Sequence, residues 1–376
     1  MIKRLRVSNF RSLGSDLVIE FEQLTVFVGQ NGAGKSNIMD ALLFVADALH
    51  MGLQGAIAQR AGIQAVRRWS DGHPLNMRIG IDLLLPTGPA NYEFEIVGDK
   101  TLEYRVKREI AHLTVDGVNH YFRVEDKVWT SSAELRPSVT PTALALPAVA
   151  GDARFAPLAD FLKSISTYSI FPDTLRCAQK YDPSKPMLRH GENWASILHD
   201  QPEDTWKPDL IAAMQKLTGD VQNIKVERAA GLLVPRVLHA SGSKREKWFD
   251  VGQESDGTLR AAGIITALLQ EPPVPVIGVE EPELTIHPGA VSILVDYLRQ
   301  ASRKSQVIVC THSPEMLDLV GPDEVRVVTR EAGITGVRRL DTAQVDAVRN
   351  KVMSLGELQR TIGLRPQLDL DLMAGA

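Results

Sequence analysis

The first fifty residues combine short apolar runs with a change to helical spacing. Apolar residues at positions 2, 5 and 7 are followed by LVIEF at 17–21 and LTVFVG at 24–29, and the last run closes on a glycine-rich turn. The next apolar residues recur at helical spacing, at Ile38, Ala41, Leu42, Val45 and Leu49. This pattern predicts three strands, a tight turn and an amphipathic helix.

The middle of the chain has a different pattern. Between about residues 78 and 124, short alternating runs are separated by Gly, Asp and Asn, which predicts an antiparallel meander. Residues 131–150 are rich in Ser, Thr, Pro and Ala, so we expect a loop or mobile linker there. The pattern beyond it predicts helices near 155–165 and 205–217, and strands near 221–228, 232–239 and 247–251.

The final third returns to alternation of strands and helices. We expect a helix at about 256–270, a strand at 274–279, a helix at about 289–302, a strand at 306–310 and a helix from Pro314. Such an order is typical of a mostly parallel sheet covered by helices. The sequence contains no internal repeat and no sustained heptad run, which excludes long coiled-coil arms.

A phosphate-binding pattern lies between the third strand and the first helix. Residues 29–36 read GQNGAGKS and match G-x-x-x-x-G-K-[ST], in the strand-turn-helix context that the chemistry needs. Such a loop points backbone N–H groups at phosphates, so we expect ATP here, with Lys35 bridging the terminal phosphates and Ser36 binding Mg²⁺. The candidate contacts are Gly29, Gln30, Asn31, Gly32, Ala33, Gly34, Lys35, Ser36 and Asn37. The alternative, an ordinary glycine-rich turn with a solvated lysine, is disfavoured by the flanking elements.

A pair of carboxylates follows the apolar run VPVIGV. Glu280 and Glu281 come where a buried strand reaches its carboxyl end, which is where ligands bind in open α/β sheets. Because successive residues of an extended strand point in opposite directions, we expect different roles for the two acids. Glu280 would hold Mg²⁺, and Glu281 would orient and deprotonate the attacking water. The alternative is a solvated acidic turn.

A histidine ends the next apolar strand. His312 follows QVIVCT and should lie at the same sheet edge, where it could contact a γ-phosphate or the water nucleophile. A lone histidine is more often structural, and the other motifs favour the catalytic role. The predicted catalytic residues are therefore Glu281, His312 and Lys35, with Ser36 and Glu280 on the metal.

Composition and charge narrow the setting. Lys and Arg number 42 against 46 Asp and Glu, giving a formal net charge of −4, so no global field draws the chain to nucleic acid or membrane. Two isolated cysteines suggest neither a zinc site nor a disulfide framework. Without an apolar leader or a membrane-length apolar run, we expect a cytoplasmic protein with no membrane partner.

The segment GQESDGTLRAAG, residues 252–263, adds a helix that opens on a good N-cap, Ser255. The order of P-loop, signature-like segment, acid pair and strand-terminal histidine resembles the ABC-type ATPase heads of the SMC and RecF group. Shorter strings resemble OLD-like and stand-alone bacterial AAA family ATPases still more closely: NFRS at 9–12, ESDGTLR at 254–260, EEPELTIHP at 280–288 and THSPEM at 311–316. The strings LRHGENWASIL at 188–198 and SLGEL at 354–358 also resemble that family but suggest no chemistry.

The resemblance implies a homodimer with two ATPs sandwiched head to tail. Each P-loop would face Ser255 and Gly257 of the other copy, residues 284–287 would lie along the interface, and Arg11 could touch the nucleotide. Two residues depart from the ABC pattern: Glu280 stands where most ABC proteins have Asp, although the OLD-like group often has Glu, and Asp256 stands where the wider family has Gly. These departures concern the hydrolysis rate and not ATP binding. No motif fixes a lid-loop glutamine, for which Gln179 is the residue considered.

The expected fold class is α/β, an ABC-ATPase head with a P-loop parallel-sheet core, an antiparallel β subdomain and a helical signature lobe. We expect residues 1–376 to form one such head: a P-loop part at 1–60, an inserted meander, linker and helical lobe at 61–250, and the signature, acid and histidine part at 251–376. Too few residues follow His312 for a nuclease domain, so we expect any nuclease or other effector to be a separate protein.

Three functions remain open. The first is an ATPase that couples nucleotide-driven closure to DNA or to an effector, in genome maintenance or phage defence. The second is a slowly hydrolysing switch that regulates a partner without DNA, and the third is a P-loop kinase or transporter ATPase, which the signature and histidine disfavour. DNA is an open partner because small basic clusters occur at 67–68, 105–108 and 244–247, although such runs are usually solvated surface.

Overall fold

The computed structural model describes residues 1–69, 75–99, 103–135, 137–201, 206–240 and 247–367. The strands are β1 (Ile2–Ser8), β2 (Leu17–Glu20), β3 (Leu24–Val28), β4 (Met77–Leu85), β5 (Gly88–Asp99), β6 (Glu103–Val115), β7 (Val118–Glu125), β8 (Val128–Ser131), β9 (Ile165–Tyr168), β10 (Gln179–Lys180), β11 (Val221–Ala229), β12 (Leu232–His239), β13 (Trp248–Asp250), β14 (Val276–Glu280), β15 (Gln306–Thr311), β16 (Val325–Glu331) and β17 (Ile334–Arg339).

The helices lie between groups of these strands and at the end of the described chain. They are α1 (Lys35–His50), α2 (Gly52–Ala58), α3 (Ile63–Val66), α4 (Leu146–Val149), α5 (Ala156–Lys163), α6 (Pro172–Arg176), α7 (Trp194–Asp200), α8 (Lys207–Thr218), α9 (Asp256–Leu269), α10 (Val291–Ala301), α11 (Pro314–Leu317), α12 (Thr342–Arg349) and α13 (Leu355–Thr361).

The chain divides into two compact units. The first consists of Met1–Ile165, Val325–Asp346 and Leu364–Ala376, and the second of Ser166–Glu324 and Ala347–Gly363. Each unit therefore combines segments that are far apart in the sequence, and each is described separately below.

The first unit contains a seven-stranded antiparallel sheet in the order β2-β1-β4-β5-β6-β7-β8. The predicted meander is confirmed, because β4 to β8 follow one another along the chain. Helix α1 packs on this sheet through Phe44, whose ring centroid lies 5.5 Å from that of Phe10 and 6.3 Å from that of Phe94. The helical spacing of its apolar residues is thus explained, since Ile38, Ala41 and Val45 are fully buried.

The first three predicted strands exist, but they belong to two sheets. Strands β1 and β2 pair in the antiparallel sheet, whereas β3 pairs in parallel with β16, about 300 residues away along the chain. All five residues of β3 are buried, as expected for a strand covered on both faces.

The predicted linker at 131–150 is only partly a loop. Its last residues form the short helix α4, and Leu144, Ala145, Leu146 and Val149 are buried. The buried carboxyl of Glu109, on β6, holds this turn by accepting hydrogen bonds from the backbone N–H groups of Ala145 and Leu146. The loop expected here is thus observed in the described residues apart from α4, and composition does not reveal the carboxylate that caps its last turn from another element.

Glu109 gives the first unit a pH dependence. Burial raises the pKa of Glu109 to about 7, against the lowering effect of the hydrogen bonds from Ala145, Leu146 and Tyr92. Because this value lies above the ordinary 4.5, the folded state holds the proton more tightly, and the stabilisation present at low pH is lost as pH rises through 7. We expect wild type to lose about 2.5 kcal/mol of unfolding free energy between pH 5 and pH 8, relative to Glu109→Gln.

Denaturant unfolding at several pH values measures this difference. Glu103→Gln is the matched control, since Glu103 is exposed on the same strand. Parallel pH profiles for wild type and Glu109→Gln would contradict the assignment.

The second unit contains the parallel pair β14 and β15, in which Glu280 lies opposite Cys310. A separate antiparallel sheet has the order β10-β12-β11, with β13 also paired to β12. Helix α9 runs from Asp256 to Leu269 and buries nearly all of its side chains, so the predicted helix at 256–270 is confirmed. The parallel pair brings the ends of two predicted strands to one edge.

Candidate functional site

The loop between β3 and α1 follows a path that only glycine permits at two positions. A Cβ on Gly29 would lie 2.2 Å from the carbonyl oxygen of Val328, so β16 leaves no room for a side chain there. Gly34 caps α1 with φ of 108°, and a Cβ would lie 2.1 Å from Thr335 Oγ1. The backbone of this loop, rather than its side chains, therefore forms the surface offered to a ligand.

Lys35 lies within the curve of the loop. Its Nζ donates hydrogen bonds to the carbonyl oxygens of Gly29, at 2.7 Å, and Gln30, at 3.2 Å, and the residue is only 7% exposed. Ser36 and Asn31 are exposed on the loop surface. The buried ammonium can exchange both of these hydrogen bonds for stronger ones to phosphate oxygens, because hydrogen bonds between two charged groups are stronger than those to a neutral carbonyl.

The loop is braced by a hydroxyl network that the sequence did not reveal. Thr335, at the start of β17, donates to the carbonyl oxygen of Ala33 at 2.7 Å, and its Oγ1 lies 2.7 Å from Ser12 Oγ. Asn37 donates to the same Ser12 hydroxyl, and Arg330 donates to the carbonyl oxygen of Gly32 at 3.1 Å. These contacts span about 300 residues of sequence, so no local pattern could have identified them.

Arg11 lies close to this loop in the first unit, but its charge is already paired. Its Nε lies 2.8 Å from Asp40 Oδ2 on α1, and Arg60 binds the other oxygen of the same carboxylate. Arg60 also binds Asp47 and lies over the ring of Phe44. A nucleotide contact for Arg11 stays a prediction, and here the residue fixes the first helical turns of α1.

In the second unit, the acid pair lies at the carboxyl end of β14. Glu280 ends the strand, whereas Glu281 has φ of 43° and so leaves the extended conformation. The two acids differ in direction because the chain turns at Glu281. The sequence-based reason, an extended strand that continues through both acids, was therefore wrong. A left-handed conformation at a glutamate is uncommon and concentrates at functional positions.

His312 follows β15 directly and lies beside the acids. Its Nδ1 is 3.4 Å from Glu281 Oε1 and 4.0 Å from Glu283 Oε1. Glu283 also accepts a hydrogen bond from Thr311 Oγ1 at 2.5 Å, which holds the end of β15 to the turn after the acids. The structure thus brings Glu281 and His312 together, as predicted, and adds Glu283 as the residue that positions them.

Two arginines compensate this acidic edge; both lie within the family-like strings at 188–198 and 254–260, but no role was predicted for either. Arg260, on α9, donates to the backbone carbonyl oxygens of Glu280, Glu281 and Ile170. Arg189 binds the Glu280 carboxylate itself, with Nη2 2.9 Å from Oε1. Burial lowers the pKa of Arg260, while the charges of Glu283 and Glu281 act in the opposite direction. Arginine side chains therefore offset part of the negative charge at this edge.

The signature-like segment opens α9 as predicted. Ser255 is the N-cap, and its Oγ accepts a hydrogen bond from the backbone N–H of Thr258 at 3.2 Å. Gly257 has a packing role as well, since a Cβ there would lie 2.5 Å from the carbonyl oxygen of Thr285. Asp256 pairs with Arg176 at 2.6 Å. Ser255 itself is exposed, so its hydroxyl and the helix N-terminus face solvent.

Of the two family strings without assigned chemistry, the one at 354–358 forms structural ties in the second unit. In the string at 354–358, Ser354 forms a capping box with Glu357 and the Gly356 N–H donates to Asp318, which docks α13 against α11. Gln179 is buried, and its amide binds Thr174, Gly191 and Ala195. We therefore assign Gln179 no lid function.

The basic clusters offer little free charge. Arg67 is 4% exposed, and the cluster at 105–108 is paired: Arg105 with Asp126, Lys107 with Glu95 and Arg108 with Glu93. The third cluster includes Lys244 and Arg245, which lie outside the described residues together with the rest of 241–246. Ion pairs of this kind reduce the charge available to a phosphate backbone.

The donor set fits a magnesium nucleotide. In the first unit, the glycine-only path of the loop offers backbone N–H groups, one lysine and the Ser36 hydroxyl. In the second unit, Glu280 lies near Glu283, whose buried Oε2 has no hydrogen-bond partner among the described residues. Mg²⁺ is commonly bound by one or two protein oxygens together with nucleotide phosphates, and Ser36 and Glu280 are oxygen donors of that kind.

A model of one protein family matches residues 24–318, and the family is described as "AAA domain, putative AbiEii toxin, Type IV TA system". The chain belongs to this family. The predicted membership of an ABC-type ATPase group of the SMC and RecF kind is confirmed by this match together with the fold. None of the helices within the described ranges has the length and apolar character needed to cross a membrane.

Solved structures of similar fold support the fold described above for this chain. A structure of an Smc head bound to the C-winged helix domain of ScpA aligns over 91% of this chain and 99% of that chain, with a TM-score of 0.61 and 17% identity. An Smc head with an extended coiled coil, from Pyrococcus furiosus, aligns over 93% and 99%, with a TM-score of 0.54 and 14% identity. The expected α/β ABC-ATPase head is confirmed at the level of fold.

Curated relatives match over short segments. Structural maintenance of chromosomes protein 1 of Schizosaccharomyces pombe is 54% identical over 43 residues, which is 11% of this chain and 4% of that protein. The chromosome partition protein Smc of Mycolicibacterium paratuberculosis is 44% identical over 62 residues, 16% of this chain and 5% of that protein. The matched segments cover about a twentieth of those relatives.

Proposed function

We propose that this protein binds ATP with Mg²⁺ and hydrolyses it to ADP and phosphate. The observation that carries the proposal is the loop at 29–36, whose path requires glycine at two positions and whose buried Lys35 is held by exchangeable hydrogen bonds. Glu281 and His312, paired at the end of two parallel strands, supply the second half of the chemistry. Family membership and the head fold support the same reaction.

The roles divide between the two units. In the first, loop N–H groups and Lys35 bind the phosphates, and the Ser36 hydroxyl binds the metal. In the second, Glu280 binds the metal, while Glu281 orients the attacking water and removes its proton. His312, 3.4 Å from Glu281, donates to the γ-phosphate or to that water. When bound, Mg²⁺ neutralises charge that develops on the phosphates.

We further propose that two copies complete each site. Ser255 and Asp256 at the start of α9 are exposed, and the helix N-terminus carries a partial positive charge suited to a phosphate. In the proposed homodimer, Ser255 and Gly257 of one copy reach the γ-phosphate on the P-loop of the other. ATP then closes the dimer and hydrolysis opens it.

The nucleotide state is proposed to act on a separate effector protein, in phage defence or genome maintenance. The paired state of the cluster at 105–108 and the burial of Arg67 favour a protein partner over DNA, although DNA remains the alternative. The solved Smc head that is bound to a domain of ScpA provides a precedent for a protein partner.

A second candidate function is a slowly hydrolysing switch. The observation that favours it is the Arg189 guanidinium on Glu280, because an acid held by an arginine must be released before it can bind a metal. This switch binds ATP as in the first proposal and hydrolyses it more slowly.

Lys35→Ala tests the proposed function at its first step. Because Lys35 supplies the only side-chain cation of the loop itself, we expect its removal to weaken ATP binding by roughly 100-fold or more. Equilibrium binding of a fluorescent ATP analogue measures this loss, with Lys3→Ala, at an exposed lysine of the same unit, as control. Unchanged affinity in Lys35→Ala would overturn the proposal.

A further inference from the structure

Arg189 makes a contact that the proposed function leaves unexplained. Its Nη2 lies 2.9 Å from Oε1 of Glu280, the acid assigned to the metal, and the Glu280 side chain is 16% exposed against 38% for Arg189. The contact is through one nitrogen, and the buried Nε of Arg189 has no hydrogen-bond partner in the described part of the chain. A single hydrogen bond from a partly exposed guanidinium is weaker than a bidentate pair, so the contact can be exchanged.

The backbone that carries Arg189 is held by several hydrogen bonds, whereas the contact of its side chain with Glu280 can be exchanged. The Arg189 carbonyl oxygen accepts a hydrogen bond from the backbone N–H of Ser169, and His190 Nδ1 lies 2.7 Å from the Ser169 carbonyl oxygen. The fully buried Asn193 accepts from the Leu188 N–H and donates to the Ser184 carbonyl oxygen. Arg189 is therefore presented to Glu280 from a fixed turn rather than from a loose loop.

The same turn is anchored on the signature helix. The Met187 N–H donates to the side chain of Gln270, which follows α9, and the buried Trp194 donates from Nε1 to Thr266 Oγ1 on α9 at 3.0 Å. Arg260, also on α9, binds the backbone of the acid pair. The acid pair is thus connected to α9 by two routes, through its backbone by Arg260 and through the Glu280 carboxylate by Arg189.

Three carboxylates concentrate negative charge at this edge: Glu280, Glu281 and Glu283. Glu283 is 9% exposed, and one of its oxygens has no partner in the described ranges. Partly buried acids so close together require cations, and a guanidinium and a divalent ion would compete for the same oxygen of Glu280.

We propose that Arg189 is an intramolecular stand-in for the divalent cation at Glu280, and that its displacement signals metal-nucleotide binding to the turn at 187–194 and to α9. This inference rests on the proposed function and adds a regulatory residue to it. While Arg189 holds Glu280, the acid is neutralised and unavailable to the metal. When the cation binds Glu280, the guanidinium is released, and one tie between α9 and the acid pair is broken.

Arg189→Gln tests the competition through magnesium dependence of binding, without hydrolysis. Binding of a fluorescent, non-hydrolysable ATP analogue is titrated with Mg²⁺, and the Mg²⁺ concentration for half-maximal binding is measured. We expect this concentration to fall by roughly 5- to 30-fold in Arg189→Gln, because one charge-assisted hydrogen bond no longer has to be displaced. Arg189→Lys should give a smaller fall, roughly 2- to 5-fold, since lysine keeps the positive charge near Glu280 but not the guanidinium nitrogen that contacts Oε1.

Arg349→Gln is the matched control, because Arg349 forms an exposed ion pair with Asp323 in the same unit and should leave the magnesium requirement unchanged. An unchanged or higher magnesium requirement in both Arg189 variants would overturn the inference and leave ATP binding intact. If wild type does not bind the analogue at any Mg²⁺ concentration in the titration, the proposed function is contradicted as well. Circular dichroism verifies folding, and Arg189→Lys alone decides the direction if the glutamine variant does not fold.

Discussion

The Glu281→Gln variant is expected to bind ATP with the affinity of wild type and to hydrolyse it roughly 10²- to 10⁴-fold more slowly. Glutamine preserves the size of the side chain but cannot accept the proton of the attacking water. The phosphate-binding loop belongs to the other unit of the chain and is unchanged, so binding should survive. His312, 3.4 Å from Glu281, should keep its place because a glutamine oxygen still accepts a hydrogen bond.

Phosphate release at saturating ATP measures the rate, and analogue binding measures the affinity. Glu271→Gln provides the control, since Glu271 is a surface acid that pairs with Lys304 in the same unit. Hydrolysis by Glu281→Gln within about fivefold of wild type would show that another group acts as the base.

Ser255→Arg is expected to leave ATP binding nearly intact and to reduce hydrolysis by roughly 10²- to 10³-fold, the usual cost of losing one aligned donor to a transition-state phosphate. Ser255 is the exposed cap of α9, whereas the nucleotide is bound by the loop at 29–36 in the other unit. An arginine removes the cap and places a bulky cation where the partner's phosphate is proposed to lie. Ser255→Ala is the control for loss of the cap alone, which costs about 1 kcal/mol of stability.

Mixing two inactive proteins separates a shared site from a single-chain site. In a mixed dimer of Ser255→Arg and Lys35→Ala, one site carries both defects and the other carries neither. Activity should then return on mixing, provided that one intact site turns over alone. Full activity of Ser255→Arg by itself would show that the signature helix does not serve the reaction.

The parts of this account that were predictable from sequence are those encoded locally. The loop at 29–36, the cap at Ser255 and the acids after β14 each depend on a few adjacent residues and a flanking element. The proximity of Glu281 and His312 was also predictable, because the carboxyl ends of neighbouring parallel strands share one edge.

The remaining features depend on contacts between distant segments. Thr335 braces the phosphate-binding loop from the far end of the chain, and Arg189 reaches Glu280 from 91 residues away. The buried carboxyl of Glu109 docks a segment whose composition suggested mobility. Glu281 leaves the strand at φ of 43°, which a strand pattern does not encode. In each case the partner residue is determined by the tertiary fold.

Sedimentation velocity of Glu281→Gln with Mg²⁺ and ATP tests most directly the central claim that two copies complete the nucleotide sites. Because ATP binds but is not consumed, the closed state should accumulate. The account predicts a species of twice the 41.3 kDa chain mass that requires both ATP and Mg²⁺. A species of single-chain mass under saturating ATP and Mg²⁺ would contradict it.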